Sequence, residues 1–140
     1  MEERDKRFLL EDLCSRLPYG VKCDIGDNKP YTLNSIEVDY TGGHLVRFKE
    51  LKNGFIMEVY LSEVKPYLFP MSSMTKEQKR EYNSLCDLVP TYHYEYGDIV
   101  EDEELYDNWG SIGYLIANHF DYKGLFEKGL AHDATGLNIY

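Results

Sequence analysis

Apolar residues recur every three to four positions near the start of the chain, with Phe8, Leu9, Leu13, Cys14 and Leu17 on one side. That spacing predicts a helix over about residues 3–16, which Pro18 and Gly20 end. From there to about residue 61 the period drops to two. Val21, Cys23 and Ile25 alternate with polar residues, and Ile36, Val38 and Tyr40 do the same. Alternation of this kind marks strands with one buried face. Thr41-Gly42-Gly43 reads as a turn before the strand Leu45–Phe48, and Asn53-Gly54 as a hairpin turn before Phe55–Leu61. The pattern predicts a small antiparallel β-meander of about four strands within residues 20–62.

The second half of the chain changes character. Lys65-Pro66 and Phe69-Pro70 bracket a stretch that reads as an extended connector, because a residue before proline avoids the helical region. Thr75 and Gln78 have capping-box spacing, and Glu77 sits in the first turn of the helix they predict. Met74, Gln78, Tyr82, Leu85 and Cys86 would form its inner face, with Pro90 closing it. Residues 91–107 read as a loop. A third helix is expected over about 109–118, capped by Asp107 or Asn108, with Trp109 in the core and Ile112, Leu115, Ile116 and Phe120 along one side. The tail reads as a helical turn around Leu125–Leu130 followed by coil. The fold class expected is α+β, a single domain over 1–140 in which N-terminal and C-terminal helices cover a small antiparallel sheet. Residues 1–62 supply one helix and the meander, and residues 63–140 a helical half with the loop.

Charge sharpens this picture. Of 25 acidic and 15 basic residues, ten acids fall within residues 81–122, and no lysine or arginine lies there. The net charge of −10 therefore belongs to that stretch. Tyr92, Tyr94, Tyr96, Tyr106, Trp109 and Tyr114 are interleaved with it. Such a field repels nucleic acid and lipid headgroups and attracts basic surfaces, so direct nucleic-acid binding and membrane association are not expected. The basic residues elsewhere are scattered, and counterion release would be slight. The charged segment Met1–Arg7 does not read as a secretory leader. Cys14, Cys23 and Cys86 follow no paired spacing, which points to free thiols on apolar faces in a cytoplasmic protein.

Two segments have a specific wording. Lys65-Pro-Tyr-Leu-Phe-Pro-Met-Ser-Ser-Met-Thr75 is one, and His119-Phe-Asp-Tyr-Lys-Gly-Leu-Phe-Glu-Lys-Gly-Leu-Ala131, running on to Leu137-Asn138-Ile139-Tyr140, is the other. Over roughly residues 60–140 the chain resembles a group of small proteins, without an assigned activity, encoded by gut-bacterial (Bacteroidales-type) phages, prophages and neighbouring mobile elements. The group often carries a Trp-Leu-Asn stretch and paired histidines before Phe-Asp-Tyr. Here those positions are Tyr114-Leu115-Ile116 and Asn118-His119, so a paired-histidine site does not carry over. The resemblance implies a protein made in the cytoplasm of a bacterial host, and it supplies no catalytic residues.

The residues for chemistry give little. His44, His93, His119 and His132 are far apart, and no Cys-x-x-Cys or His-x-x-x-His occurs, so no zinc site is expected. The run Asp98-Ile-Val-Glu-Asp-Glu-Glu has consecutive acids where a calcium loop needs alternating ones with a glycine. There is no nucleophile elbow, and Gly42-Gly43 is a hairpin turn without the helix and lysine of a phosphate loop. His119 reads as a helix-end residue, with Asp121 close enough in sequence for acid–base work. No cofactor and no enzyme activity are expected.

What remains is the acidic aromatic segment. Tyr94, Tyr96, Asp98, Glu101, Asp102, Glu103, Glu104 and Asp107 are the candidate partner-binding residues. Their partner would be a basic protein surface, as in an inhibitor of a nucleic-acid-binding host protein such as a defence nuclease: carboxylates speed encounter and tyrosines anchor. The plainer alternative is a solvated face. Two other uses are a small-ligand module with an aromatic pocket around Tyr94, Tyr96, Trp109 and Tyr114, and a structural or virion-associated subunit.

Overall fold

A computed structural model describes all residues, 1–140. The chain is α+β, with three helices, a mixed six-stranded sheet and a separate two-stranded sheet. It divides into two compact units. Met1–Ser73 and Ile116–Tyr140 form the first, and Met74–Leu115 the second.

In the first unit, α1 spans Glu3–Arg16. Glu3 and Asp5 in its first turn and Arg16 in its last complement the helix dipole. The chain leaves through a short turn at Leu17–Tyr19, where Gly20 takes a left-handed φ of 67° that a side chain would disfavour. Leu9 and Leu13 are fully buried, but Cys14, expected on the same face, is exposed. Its place in the interior is taken by two residues that periodicity assigned to the polar side, Asp12 and Arg16.

The sheet of this unit has six strands, in the spatial order Glu58–Tyr60, Leu45–Phe48, Tyr31–Glu37, Lys22–Asp24, Lys65–Leu68 and His132–Asp133. Strands β1 (Lys22–Asp24), β2 (Tyr31–Glu37), β3 (Leu45–Phe48) and β4 (Glu58–Tyr60) pair antiparallel with their neighbours. Asn53-Gly54 does lie in a turn, with Gly54 at φ 83° and its amide donating to the Leu51 carbonyl at 2.9 Å. The paired strands stop short of it. The expected small antiparallel sheet is thus part of a larger, mixed one. Lys65–Leu68, read from sequence as a connector, is the interior strand β5: Pro66 lies opposite Cys23, and Pro66, Tyr67 and Leu68 are buried. Its prolines signalled extended backbone correctly, but not that both neighbours would be strands. The tail adds β8 (His132–Asp133), parallel to β5, where coil was expected.

One carboxylate organises that tail. Asp121, 7% exposed, accepts from the amides of Gly124, Leu125 and Phe126 at 2.9–3.0 Å and so winds the turn that follows. The turn drives Leu125 and Leu130 into the core beside Leu9, Leu13, Val21, Cys23, Leu33, Val46, Phe48, Leu61, Val64 and Leu68. Burying side chains of this size stabilises by about 1.5–3 kcal/mol each.

In the second unit, α2 spans Lys76–Leu85 and begins with the expected capping box. The Gln78 amide donates to Thr75 Oγ1 at 3.1 Å, and the Thr75 amide to Gln78 Oε1 at 2.9 Å. The segment read as an irregular loop is instead a β-hairpin, β6 (Asp87–Glu95) and β7 (Asp98–Tyr106), with Pro90 inside β6 rather than ending the helix. Helix α3, Trp109–Ala117, follows. Asn108 caps it, its Oδ1 accepting from the Ser111 amide at 2.8 Å while the Asn108 amide donates to Ser111 Oγ at 2.8 Å. No helix is long and apolar enough to cross a membrane.

Candidate functional site

The hairpin is built on a two-residue turn. Tyr96 and Gly97 both have positive φ, 50° and 85°, which defines the turn whose twist matches that of paired strands. Nine cross-strand pairs follow without a bulge, from Glu95 opposite Asp98 to Asp87 opposite Tyr106. Side chains alternate across a strand, so this register sorts the acidic run onto two faces. Leu88, Pro90, Tyr92 and Tyr94 share one face with Ile99, Glu101, Glu103 and Leu105. Asp87, Val89, Thr91, His93 and Glu95 share the other with Asp98, Val100, Asp102, Glu104 and Tyr106. The four consecutive acids from Glu101 to Glu104 therefore make two pairs facing opposite ways.

Both faces are open. Of the strand residues only Thr91 and Val100 are even half-buried; Tyr94 is 80% exposed and Tyr96, at the tip, 98%. Inside the hairpin the imidazole of His93 lies 3.4 Å from Asp102 and 3.5 Å from Glu95. Glu104 accepts from the Tyr106 hydroxyl at 2.9 Å. That contact, by favouring the protonated phenol, pushes Tyr106 above its usual range.

Asp107 differs from the other seven candidates. It accepts from the Tyr82 hydroxyl and, at 3.0 Å, from Ser111 Oγ. Burial, and then this hydrogen bond, raise the Tyr82 phenol well above the ordinary value. Asn108 Nδ2 donates to the Leu85 carbonyl at 2.6 Å, and the Tyr114 hydroxyl to Glu81 at 2.9 Å. Asp107 thus belongs to a polar neck that ties the base of the hairpin to α2 and α3. Trp109, expected in the core, is 92% exposed. Helical geometry explains it: at 100° per residue it lies about 160° around α3 from Ser111 and about 120° from Leu115, the two buried positions of that helix. With Tyr94, Tyr96 and Trp109 this open, the rings do not close an aromatic pocket in this unit.

The first unit holds polar groups that periodicity could not find. Arg16 and Asp12 are fully buried, with Nε to Oδ2 at 2.8 Å and Nη2 to Oδ1 at 3.2 Å. Arg16 Nη2 also donates to the Phe120 carbonyl at 2.7 Å. Asp24 accepts from the Gly26 and Asn28 amides at 2.9 and 2.8 Å and meets His132 Nε2 at 2.8 Å. Burial works against its charge, but those partners outweigh it and hold the carboxyl below its usual range. The dyad joins the end of β1 to β8. His119 does not pair with Asp121, whose oxygens serve the three amides. Its ring stacks on Tyr140 at 3.7 Å, and burial, then the charges of Arg16 and Lys22, push it down to about 4. The signal that could have exposed the ion pair was the i, i+4 spacing of Asp12 and Arg16 on a helix whose next turn is apolar. A surface cleft of about 250 Å³ lies between β2 and β3, lined by Glu37, Val38, Asp39, Tyr40, Gly43 and Leu45.

Compared with known proteins, the chain matches no family model, no curated protein and no solved structure.

Proposed function

We propose that this is a non-enzymatic interaction protein that docks on a basic protein surface through the hairpin β6–β7. One observation carries the reading: a nine-pair hairpin with seven carboxylates, no lysine or arginine, and tyrosines standing open on it. An isolated two-stranded sheet is marginal in water, and exposed tyrosines and apolar residues such as Leu88, Ile99 and Leu105 are what a partner would cover. The carboxylates would speed encounter with a basic surface and select against acidic ones. A nucleic-acid-binding protein, such as a host nuclease, presents such a surface, and occupying it would inhibit that protein.

The likeness of Lys65–Thr75 and His119–Ala131 to proteins of bacterial phages and mobile elements supports this setting, the cytoplasm of a bacterial host. The two segments meet in space: the Phe69 amide donates to the His119 carbonyl at 2.8 Å and the Asp121 amide to the Phe69 carbonyl at 2.9 Å. The small-ligand reading has weaker support, because the rings it needs are open to solvent.

The test is a variant with Glu101, Asp102, Glu103 and Glu104 changed to Gln or Asn. Its unfolding midpoint should stay close to that of the parent, because exposed like charges contribute little to stability. A basic protein retained from bacterial lysate at low salt by the parent should then associate with the variant at least tenfold more slowly, with a flatter salt dependence. Full affinity with unchanged salt dependence would refute the docking role.

A further inference from the structure

Resting on that docking role, we infer how the partner is held: an extended, lysine- or arginine-bearing segment of another protein adds as a third strand along the outer edge of β7. The two-residue turn makes Glu95 and Asp98 a hydrogen-bonded pair, and such pairs alternate along an antiparallel ladder with pairs whose backbone groups point outward. Counting from the turn, Ile99, Glu101, Glu103 and Leu105 turn their N–H and C=O groups away from β6. On the other strand the outward positions are Leu88, Pro90, Tyr92 and Tyr94. Pro90 falls on that outer edge and has no N–H to offer, so the β6 edge is interrupted at its middle. The β7 edge has no such break. It offers an unblocked row of donors and acceptors over nine residues, about 30 Å at the rise of a strand.

Charge decides the occupant. A second copy pairing β7 against β7 would set Asp98, Glu101, Asp102, Glu103 and Glu104 against the same acids, and like charges across a ladder destabilise it. A basic strand meets those acids instead. One of its faces would neighbour Glu101 and Glu103, with Ile99 and Leu105 at the ends, and the other Asp98, Asp102 and Glu104 around Val100. The occupant is therefore a segment with basic residues on both faces of its middle and apolar ones toward its ends. Backbone pairing gives affinity in this mode, and the alternating neighbours give selectivity.

The experiment uses the full chain and a peptide as long as β7 with consecutive lysines through its middle and valines at its ends, which places lysines on both faces, and a twin methylated on every backbone nitrogen, so that neither edge can donate. Methylation keeps every charge and side chain but removes the donors that would face β7. Fluorescence anisotropy should show the parent peptide binding at least tenfold tighter than the twin. On the protein side, Glu101→Pro, which places a break on the β7 edge as Pro90 does on β6, should weaken binding at least tenfold, against about threefold for Glu101→Gln. The peptide comparison uses the unaltered protein, so it decides the matter even if Glu101→Pro disturbs the hairpin. Equal binding of the two peptides would overturn strand addition and leave docking by side-chain charge standing. If neither peptide binds, the docking role itself falls and takes the inference with it.

Discussion

Replacing Arg16 by methionine isolates the energetics of the buried ion pair. Both its partners are then stranded in a dry interior. Asp12, 0% exposed, keeps a carboxylate with no counter-charge, and the Phe120 carbonyl loses the 2.7 Å bond that joins α1 to the returning C-terminal segment. Breaking a buried pair from one side costs about 3–5 kcal/mol, and an unsatisfied buried acceptor about 1–3 kcal/mol. These overlap, so a loss of about 5 kcal/mol is expected, a large share of the roughly 5–15 kcal/mol that holds a domain together. Adding Asp12→Leu removes the stranded charge and should restore about 3 kcal/mol, leaving the carbonyl as the remaining deficit. Urea unfolding followed by far-UV circular dichroism measures both, and at a slope of about 1–3 kcal/mol per molar the single variant moves the midpoint by roughly 2–5 M or unfolds outright. A cost below about 1 kcal/mol for Arg16→Met, or no recovery in the double variant, would refute this account.

At the tip of the hairpin, Gly97 has φ 85° and open space around a would-be Cβ, so a substitution there meets only backbone strain. Gly97→Val should cost about 1–2 kcal/mol more than Gly97→Asn, read from amide exchange along β6 and β7. His119 stays neutral in the fold down to about pH 4, whereas the unfolded chain protonates it near pH 6.5. The unfolded state therefore binds more protons between those values, and stability falls as the pH drops through that window, by on the order of 1–2 kcal/mol once partial exposure is allowed for. His119→Asn, which tolerates the positive φ of that position, should flatten the dependence between pH 6.5 and 4; an unchanged profile would show that other groups set it. The three thiols should differ in rate. Cys14 is exposed and should react first with a thiol reagent, while Cys23, buried and with its thiol pushed up by desolvation, should react only on unfolding. Unfolding midpoints with and without reductant should agree.

Much of the scaffold was legible because its signals are local. The bounds of α1 follow from the spacing of Phe8, Leu9 and Leu13 and from Pro18 and Gly20, and the Thr75–Gln78 capping box needs only four residues. The hairpin was not legible because carboxylates are poor strand formers and both its faces are open, so no apolar alternation marks them. Its turn, Tyr96-Gly97, lacks the Asn-Gly wording that announces such turns. Strands β5 and β8 pair in parallel across a long stretch of chain, and nothing within Lys65–Leu68 or His132–Asp133 records the partner. The eight candidate residues were found by charge and ring content alone. What charge could not tell was that strand geometry divides them between two faces and that Asp107 serves the neck.

The parting of the chain after Ser73 and its return at Ile116 have a consequence for synthesis. A ribosome releases α1 and strands β1–β5 before any of the residues that finish their core. Until Phe120, Leu125 and Leu130 emerge, the nascent sheet lacks three of its buried side chains and the strand that flanks β5. The hairpin unit, made of consecutive residues with short-range pairings, can form in that interval. The protein therefore finishes its acidic arm before its own interior is sealed, and the nascent first unit is the part that needs shelter from aggregation.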